Sequence, residues 1–305
     1  MRYRLIQALL WLSGRLPLRL SQGLGGTVGG LLYWLPNPLR RVARANIARC
    51  LPELDPARQR RILRRSLIET GKTALEAGHL WRLDPAAARR LLVALEGRAA
   101  VDAALAAGRG VIIATPHLGS WEMAGQIGGL EWGMWNLYRP PRLPALERLL
   151  LAGRSRLGAR PVRADAGGVR RLLQHLRAGG VVGILPDQDP GAEHGVVAPF
   201  FGIPANTMRL LPRLARATGA ALFIAWCERL PHARGFHIRI RPLPPAVADP
   251  DPVVAATALN QAVEQCVRAL PEQYQWSYRR FRQPDPPPPA TPGSAGWQST
   301  SPEIH

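Results

Sequence analysis

The sequence predicts an α/β fold, a central and mostly parallel sheet flanked by helices, preceded by an N-terminal membrane-associated helical segment. Three observations carry this expectation. After Gly110, short apolar runs rich in β-branched residues alternate with helical stretches, which is the pattern of a parallel sheet covered on both faces. Residues 20–39 contain no charged side chain. Basic residues outnumber acidic ones 40 to 21, a net charge of +19, and Lys72 is the only lysine.

Residues 1–39 are expected to form the membrane-anchoring helical segment. The uncharged run has the length of a spanning helix, about 20 residues. Its five glycines, and Arg15 and Arg19 just before it, weigh against deep burial in lipid. Tyr3, Leu5, Ile6, Leu9, Leu10 and Leu12 surround Trp11 behind Arg2 and Arg4, which suits a helix lying in the headgroup layer. Tyr33 and Trp34 fit the interfacial belt. The pairs Gly25/Gly29 and Gly26/Gly30 have GxxxG spacing, which permits close helix contact. A buried helical hairpin is the competing expectation. No small-residue cleavage site follows a clean apolar core, so a removable signal peptide is not expected.

The main domain is expected over residues 40–283, with a helical front part at 40–109 and an α/β part at 110–283. In the front part Arg40, Arg41, Arg44 and Arg49 lie on one segment. Arg58, Arg60, Arg61, Arg64 and Arg65 lie on the next, interleaved with Ile62, Leu63 and Leu67 at helical spacing. Strands are expected at 111–114, 134–138, 181–185, 220–226 and 236–240, and helices at 143–157, 168–176, 207–218 and 252–270. Residues 284–305 hold seven prolines among Ser, Thr and Gly, the composition of a disordered tail.

A surplus of arginine on this scale implies an anionic partner: nucleic acid, a membrane surface or an acidic carrier protein. No nucleic-acid motif accompanies it, and the arginine-rich helices alternate with apolar faces rather than exposed aromatics, so nucleic acid is not expected as a partner. Cys50, Cys227 and Cys266 are far apart with no CxxC, and seven histidines lack ligand spacing. Neither a disulfide framework nor a metal site follows, and no cofactor is expected.

The segment Thr115-Pro116-His117-Leu118-Gly119-Ser120-Trp121-Glu122 follows the first strand of the α/β part directly. On one straight helix, residues five apart point about 140° apart. His117 and Glu122 therefore meet only with the histidine in a strand-to-helix loop and the glutamate in the first helical turn. Pro116 ends the strand, Gly119 allows a tight turn and Ser120 is a good N-cap. A carboxylate on one imidazole nitrogen fixes the tautomer and leaves the other nitrogen as a base. The position, at the carboxyl end of a strand, is where open α/β sheets place ligands.

The segment resembles the H-x4-[DE] motif of the glycerolipid acyltransferase superfamily. The form HLGSWE is similar to that of the late acyltransferases of lipid A biosynthesis, the lauroyl/myristoyl transferase family. Further blocks agree in the family's order. They are Arg44-Ala45-Asn46-Ile47 with Leu51-Pro52-Glu53-Leu54, Tyr138-Arg139-Pro140, Leu185-Pro186-Asp187-Gln188-Asp189, Pro199-Phe200-Phe201-Gly202 with Thr207, and Pro271-Glu272-Gln273-Tyr274-Gln275-Trp276 running into Arg279-Arg280-Phe281. The likeness spans residues 1–283. It implies acyl transfer from acyl carrier protein, or acyl-CoA, to a hydroxyl of a lipid A precursor, the 3-hydroxyl of a chain already attached. It also implies a membrane-held N-terminus at the bacterial inner membrane and a catalytic domain on the cytoplasmic side. His117 is then the general base and Glu122 its orienting carboxylate. An acyltransferase acting on another lipid, such as a lysophospholipid or aminolipid, is the alternative; Glu122 in place of the superfamily's more frequent Asp leans towards lipid A.

Other residues take expected roles from their positions. Arg139, and Arg154 with Arg156, are candidates for binding acceptor phosphates. Asp187 ends an apolar strand on the rim that carries His117, placed to bind an acceptor sugar or hold an arginine. Asp189 before Pro190-Gly191 reads as a turn residue. Phe200 and Phe201 are expected to pack the core or wall an acyl groove, and Trp276, Arg279 and Arg280 to close the fold. Val197 stands where the family often has an aromatic residue. His175, His194, His232 and His237 have no acidic partner at useful spacing and are expected to be structural or exposed.

Overall fold

A computed structural model describes residues 2–141 and 143–281; the proline-rich stretch 284–305 lies outside them. Five helices open the chain: α1 (Arg2–Ser13), α2 (Leu18–Trp34), α3 (Pro38–Cys50), α4 (Pro56–Leu80) and α5 (Pro85–Leu91). Three of them start on the same local signal, a short polar residue followed by proline. Asn37 accepts from the Arg40 N–H, Asp55 from those of Ala57 and Arg58, and Asp84 from that of Ala87. Proline at the first helical position lacks the N–H that would be unpaired there, and each cap contributes about 1 kcal/mol.

α2 lies against α4 with backbones in contact. A Cβ added to Gly25 would fall 2.6 Å from the Gly71 carbonyl oxygen, one on Gly29 2.2 Å from that of Leu67, and one on Gly71 2.1 Å from that of Gly25. Of the two GxxxG pairs, Gly25/Gly29 therefore makes the close contact, while Gly30 faces open space. The opposite side of α2 exposes a stripe of Leu20, Leu24, Val28, Leu31 and Trp34, continued by Leu9, Trp11 and Leu12 of α1. α2 is thus packed on α4 along one side and bare along the other. No helix among the described residues is long and apolar enough to cross a membrane.

The rest is a mixed α/β structure around a seven-stranded sheet. Its elements run β1 (Leu92–Glu96), α6 (Arg98–Ala106), β2 (Val111–Ala114), α7 (Trp121–Trp132), β3 (Trp135–Tyr138), α8 (Glu147–Arg154), β4 (Arg160–Arg163), α9 (Ala166–Arg177), β5 (Val181–Ile184), β6 (Gly195–Phe200), β7 (Ile203–Met208), α10 (Leu210–Thr218), β8 (Ala221–Arg229), β9 (Phe236–Pro242) and α11 (Pro252–Ala269). The strand order is β1-β9-β8-β2-β5-β3-β4, with β6 and β7 forming a separate antiparallel hairpin. Every pairing in the large sheet is parallel except β8 with β9.

The central strands alternate between two cores. Ile112, Ala114, Val182 and Ile184 join Leu172, Leu214, Leu259 and Trp276 on one face. Val111, Ile113, Val181 and Phe223 join Leu80, Met123 and Ile127 on the other. Burial on both faces explains why these strands read as continuous apolar runs.

Three sequence expectations need correction. The helical front part does not extend to residue 109: residues 92–96 form β1, which pairs with β9 at the sheet edge. Thr207 belongs to β7, paired with Val196, and the helix expected from 207 begins at Leu210. The hairpin β6–β7 and strand β4 were not anticipated, because Pro199, Pro204 and the charged run Arg160-Pro161-Val162-Arg163 obscure strand periodicity. Val197 is exposed on the hairpin. Phe200 and Trp276 are both buried at 2% exposure, in keeping with the core role expected of them.

Candidate active site

β2 and β5 are neighbours, with Ala114 opposite Ile184. His117 lies three residues beyond the first and Asp187 three beyond the second, so the two loops rise side by side from the carboxyl edge of the sheet. Asp187 holds the histidine at two points. Its Oδ2 accepts from the His117 backbone N–H at 2.9 Å, and its Oδ1 lies 2.8 Å from Nδ1 of the ring. Burial alone would raise the Asp187 carboxyl, but the charge of His117 and its hydrogen bonds outweigh it and hold the carboxyl below its ordinary value. Tyr274 is buried beside Asp187. Burial, then the Asp187 charge, push its phenol well above the usual range.

The turn carrying His117 is pinned from several sides. Gly119 has φ +63°, and a Cβ there would fall 1.9 Å from the Cys227 carbonyl oxygen, so glycine is required. The Gly119 and Ser120 N–H groups donate to the carbonyls of Gln273 and Cys227, and the Gln275 N–H donates to that of His117. Ser120 occupies the N-cap position of α7 but does not cap it; its hydroxyl donates to Glu76 Oε1 at 2.7 Å. Glu76 in turn receives Gln22 of α2 and the guanidinium of Arg229, which also binds Glu69 and the Gly119 carbonyl. The Arg229 side chain is 1% exposed; burial alone would weaken its charge, but the two glutamates hold it protonated. This network ties α2 and α4 to the turn that carries His117.

Glu122 sits in the first turn of α7 as expected, but not against His117. Its carboxylate accepts from the Trp81 indole N–H at 2.9 Å and from Nε of Arg154 at 3.1 Å, with Nη2 of Arg154 closing the fork. No hydrogen bond joins Glu122 to His117. A two-point guanidinium fork takes the carboxylate, and Asp187 takes the ring nitrogen that Glu122 was expected to hold. Burial would raise the Glu122 carboxyl; the Arg154 charge and hydrogen bonds, with a lesser contribution from His117, lower it below its ordinary value. Arg154, expected on acceptor phosphates, is thus half used, and its Nη1 makes no hydrogen bond among the described residues. Trp121, Glu122, Gln126, Asn136 and Arg154 line a cleft of about 40 Å³ beside the turn.

Arg139 is exposed at the rim after β3, where it donates to the carbonyls of Asp189 and Pro190. Asp189 is the turn residue expected: its carboxylate accepts from the Gly191 N–H and from Asn206. His237 does meet an acid, with Nε2 2.6 Å from Glu96 Oε1, a partner brought by strand pairing that spacing does not reveal. Sequence reasoning missed Gln188, whose amide nitrogen lies 3.1 Å from His117 Nε2, and Gln275, whose Oε1 lies 3.3 Å from that amide. Their place in the blocks quoted for the family resemblance was the one available signal.

The family model described as bacterial lipid A biosynthesis acyltransferase matches residues 2–283. A lipid A biosynthesis lauroyltransferase of Escherichia coli K12 is 27% identical over 276 residues, covering 90% of this chain and 89% of its own. A palmitoleoyltransferase of lipid A biosynthesis from the same organism is 27% identical over 274 residues, covering 90% and 88%. A phosphatidylinositol mannoside acyltransferase of Mycobacterium tuberculosis is 33% identical over 156 residues, half of this chain and 49% of its own.

Proposed function

The chain belongs to the bacterial lipid A biosynthesis acyltransferases, and from that premise we propose that it moves a fatty acyl chain from a thioester donor, acyl carrier protein or acyl-CoA, to a hydroxyl of a lipid A precursor. The observation that carries the reading is the His117–Asp187 pair at the carboxyl edge of the sheet. With Nδ1–H directed to Asp187, Nε2 carries the lone pair that acts as the base. It takes the proton from the acceptor hydroxyl as that oxygen attacks the thioester carbonyl, and Asp187 stabilises the imidazolium that forms. When the tetrahedral intermediate collapses, the C–S bond breaks and the thiolate takes the proton from Nε2. The positive end of α7, whose first turn has no side-chain cap, meets the developing oxyanion.

Glu122 acts in this scheme through Arg154 and through space on the imidazolium, not as a direct hydrogen-bond partner. Arg154, through its remaining Nη1, and the exposed Arg139 are the cations for acceptor phosphates. In this scheme Asp187 orients the base rather than binding an acceptor sugar or holding an arginine. The bare apolar stripe of α1 and α2, with the arginines of α3 and α4, docks the protein on the cytoplasmic face of the inner membrane, where both lipids are met.

The test is purified protein with acyl carrier protein thioesters and a detergent-solubilised lipid A precursor, analysed by mass spectrometry. Acylated precursor supports the reading. No product with any common chain length, alongside reaction of a lysophospholipid, aminolipid or phosphatidylinositol mannoside, would move the assignment to another acceptor. The half-length likeness to the mannoside enzyme makes that last acceptor the one to include.

A further inference from the structure

We propose that Gln188 is a positioning residue that occupies the proton-accepting nitrogen of His117 in the resting site and yields it to the acceptor hydroxyl, keeping water away. The consequence for turnover rests on the acyl-transfer reading above; the contact itself does not. Asp187 Oδ1 lies 2.8 Å from Nδ1, so the ring hydrogen sits on Nδ1 and Nε2 presents its lone pair. The Gln188 amide nitrogen lies 3.1 Å from Nε2. An amide nitrogen only donates, so the contact is an N–H···N hydrogen bond.

The arrangement is a closed circuit. The same amide nitrogen lies 3.3 Å from Gln275 Oε1, and the Gln275 backbone N–H donates to the His117 carbonyl at 3.1 Å. The loop is anchored on the far side too, because the Asp189 N–H donates to the Tyr278 hydroxyl at 3.0 Å. One dipeptide, Asp187-Gln188, therefore grips both ring nitrogens: the carboxylate fixes the hydrogen and the amide covers the base.

A thioester beside an uncovered imidazole is exposed to water. Water would give its proton to Nε2 and form the C–O bond; the C–S bond would break and the thiolate would take the proton from Nε2, leaving free fatty acid and thiol. Exchanging the Gln188 amide for the acceptor hydroxyl trades one neutral hydrogen bond for another, whereas an isolated water lacks the binding of a whole lipid to drive the exchange.

The experiment compares the full-length wild type with Gln188→Leu and Gln275→Leu in detergent. Diethyl pyrocarbonate, which acylates neutral imidazole, is followed at the His117 peptide by mass spectrometry, with the exposed His194 and His232 as internal controls. Gln188→Leu should speed modification at His117 about two- to tenfold, the equilibrium worth of one neutral hydrogen bond. Gln275→Leu should give a smaller rise in the same direction, and serves alone if the first variant does not fold. With acyl carrier protein thioester, Gln188→Leu should also raise hydrolysis relative to transfer. Unchanged His117 reactivity in the folded variants, or an unchanged hydrolysis-to-transfer ratio, would overturn the proposal. Raised reactivity with no lipid acylation by any form, wild type included, would support the cover on His117 and reject the acyltransfer reading.

Discussion

His117 and Asp187 are 70 residues apart in the chain and joined by two hydrogen bonds, one to the ring at 2.8 Å and one to the backbone N–H at 2.9 Å. The carboxylate on the imidazole thus comes from the loop after the neighbouring strand, not from the helix that follows the histidine. Asp187→Asn keeps the shape but offers an amide that can turn its N–H towards Nδ1 and favour the wrong tautomer. A fall in kcat of about 10²–10⁴-fold is expected, with little change in acceptor KM. Steady-state kinetics on the two proteins check this. A variant with near wild-type kcat would remove Asp187 from the mechanism.

Glu122 and Arg154 are each other's principal hydrogen-bond partners. Glu122→Gln and Arg154→Gln should therefore lose activity non-additively, the double variant being about as slow as the worse single one. Comparing kcat/KM across the cycle measures the coupling. Losses that multiply would mean two independent roles.

The two site carboxyls should leave a mark on acid stability. Both ionise below their ordinary values, 4.5 for Glu122 and 3.8 for Asp187. A carboxyl depressed in the folded state adds stability above its unfolded pKa and loses it as pH falls through the folded one. The stabilisation should be present above about pH 4.5 and drain away as pH falls, from about 4.5 for Glu122 and from about 3.8 for Asp187. Melting temperatures across that range should fall less steeply for Asp187→Asn, which has no proton to gain there. Parallel slopes would show that the carboxyl does not respond as described.

Helix contact at the N-terminus can be tested one methyl group at a time. Gly71→Ala places a Cβ 2.1 Å from the Gly25 carbonyl oxygen and should cost about 1–3 kcal/mol. Gly30→Ala, with open space around it, should be neutral or stabilising by up to about 1 kcal/mol through helix propensity. Denaturant or thermal melts compare the two. Equal effects would mean that α2 does not lie on α4 in this way.

Much of this molecule was legible in the sequence where local chemistry decides. The runs at 111–114 and 181–184 are apolar because both faces of the sheet are covered, and the helical spacing of Ile62, Leu63 and Leu67 marks the buried face of α4. His117 stood out through its loop between strand and helix. Its partner did not, because H-x4-E spacing suggested Glu122, while the pairing with Asp187 depends on β2 lying beside β5, a fact of topology. Strand β1 was hidden for the same reason: five residues that, apart from Val93, are good helix formers become a strand because β9 offers an edge. Ser120 was correctly placed at the start of α7, yet its hydroxyl binds Glu76 in a network assembled from α2, α4 and β8. Spacing reveals which residues are near in the chain; the sheet order determines which of them meet.

The most direct measurement is single-turnover acyl transfer to a lipid A precursor by wild type and His117→Ala, with acceptor binding measured alongside. A product heavier by one acyl chain from the wild type is expected, with turnover falling by at least about 10²-fold in the variant and binding retained. Acylation at the wild-type rate by His117→Ala would contradict the assignment of His117 as the base.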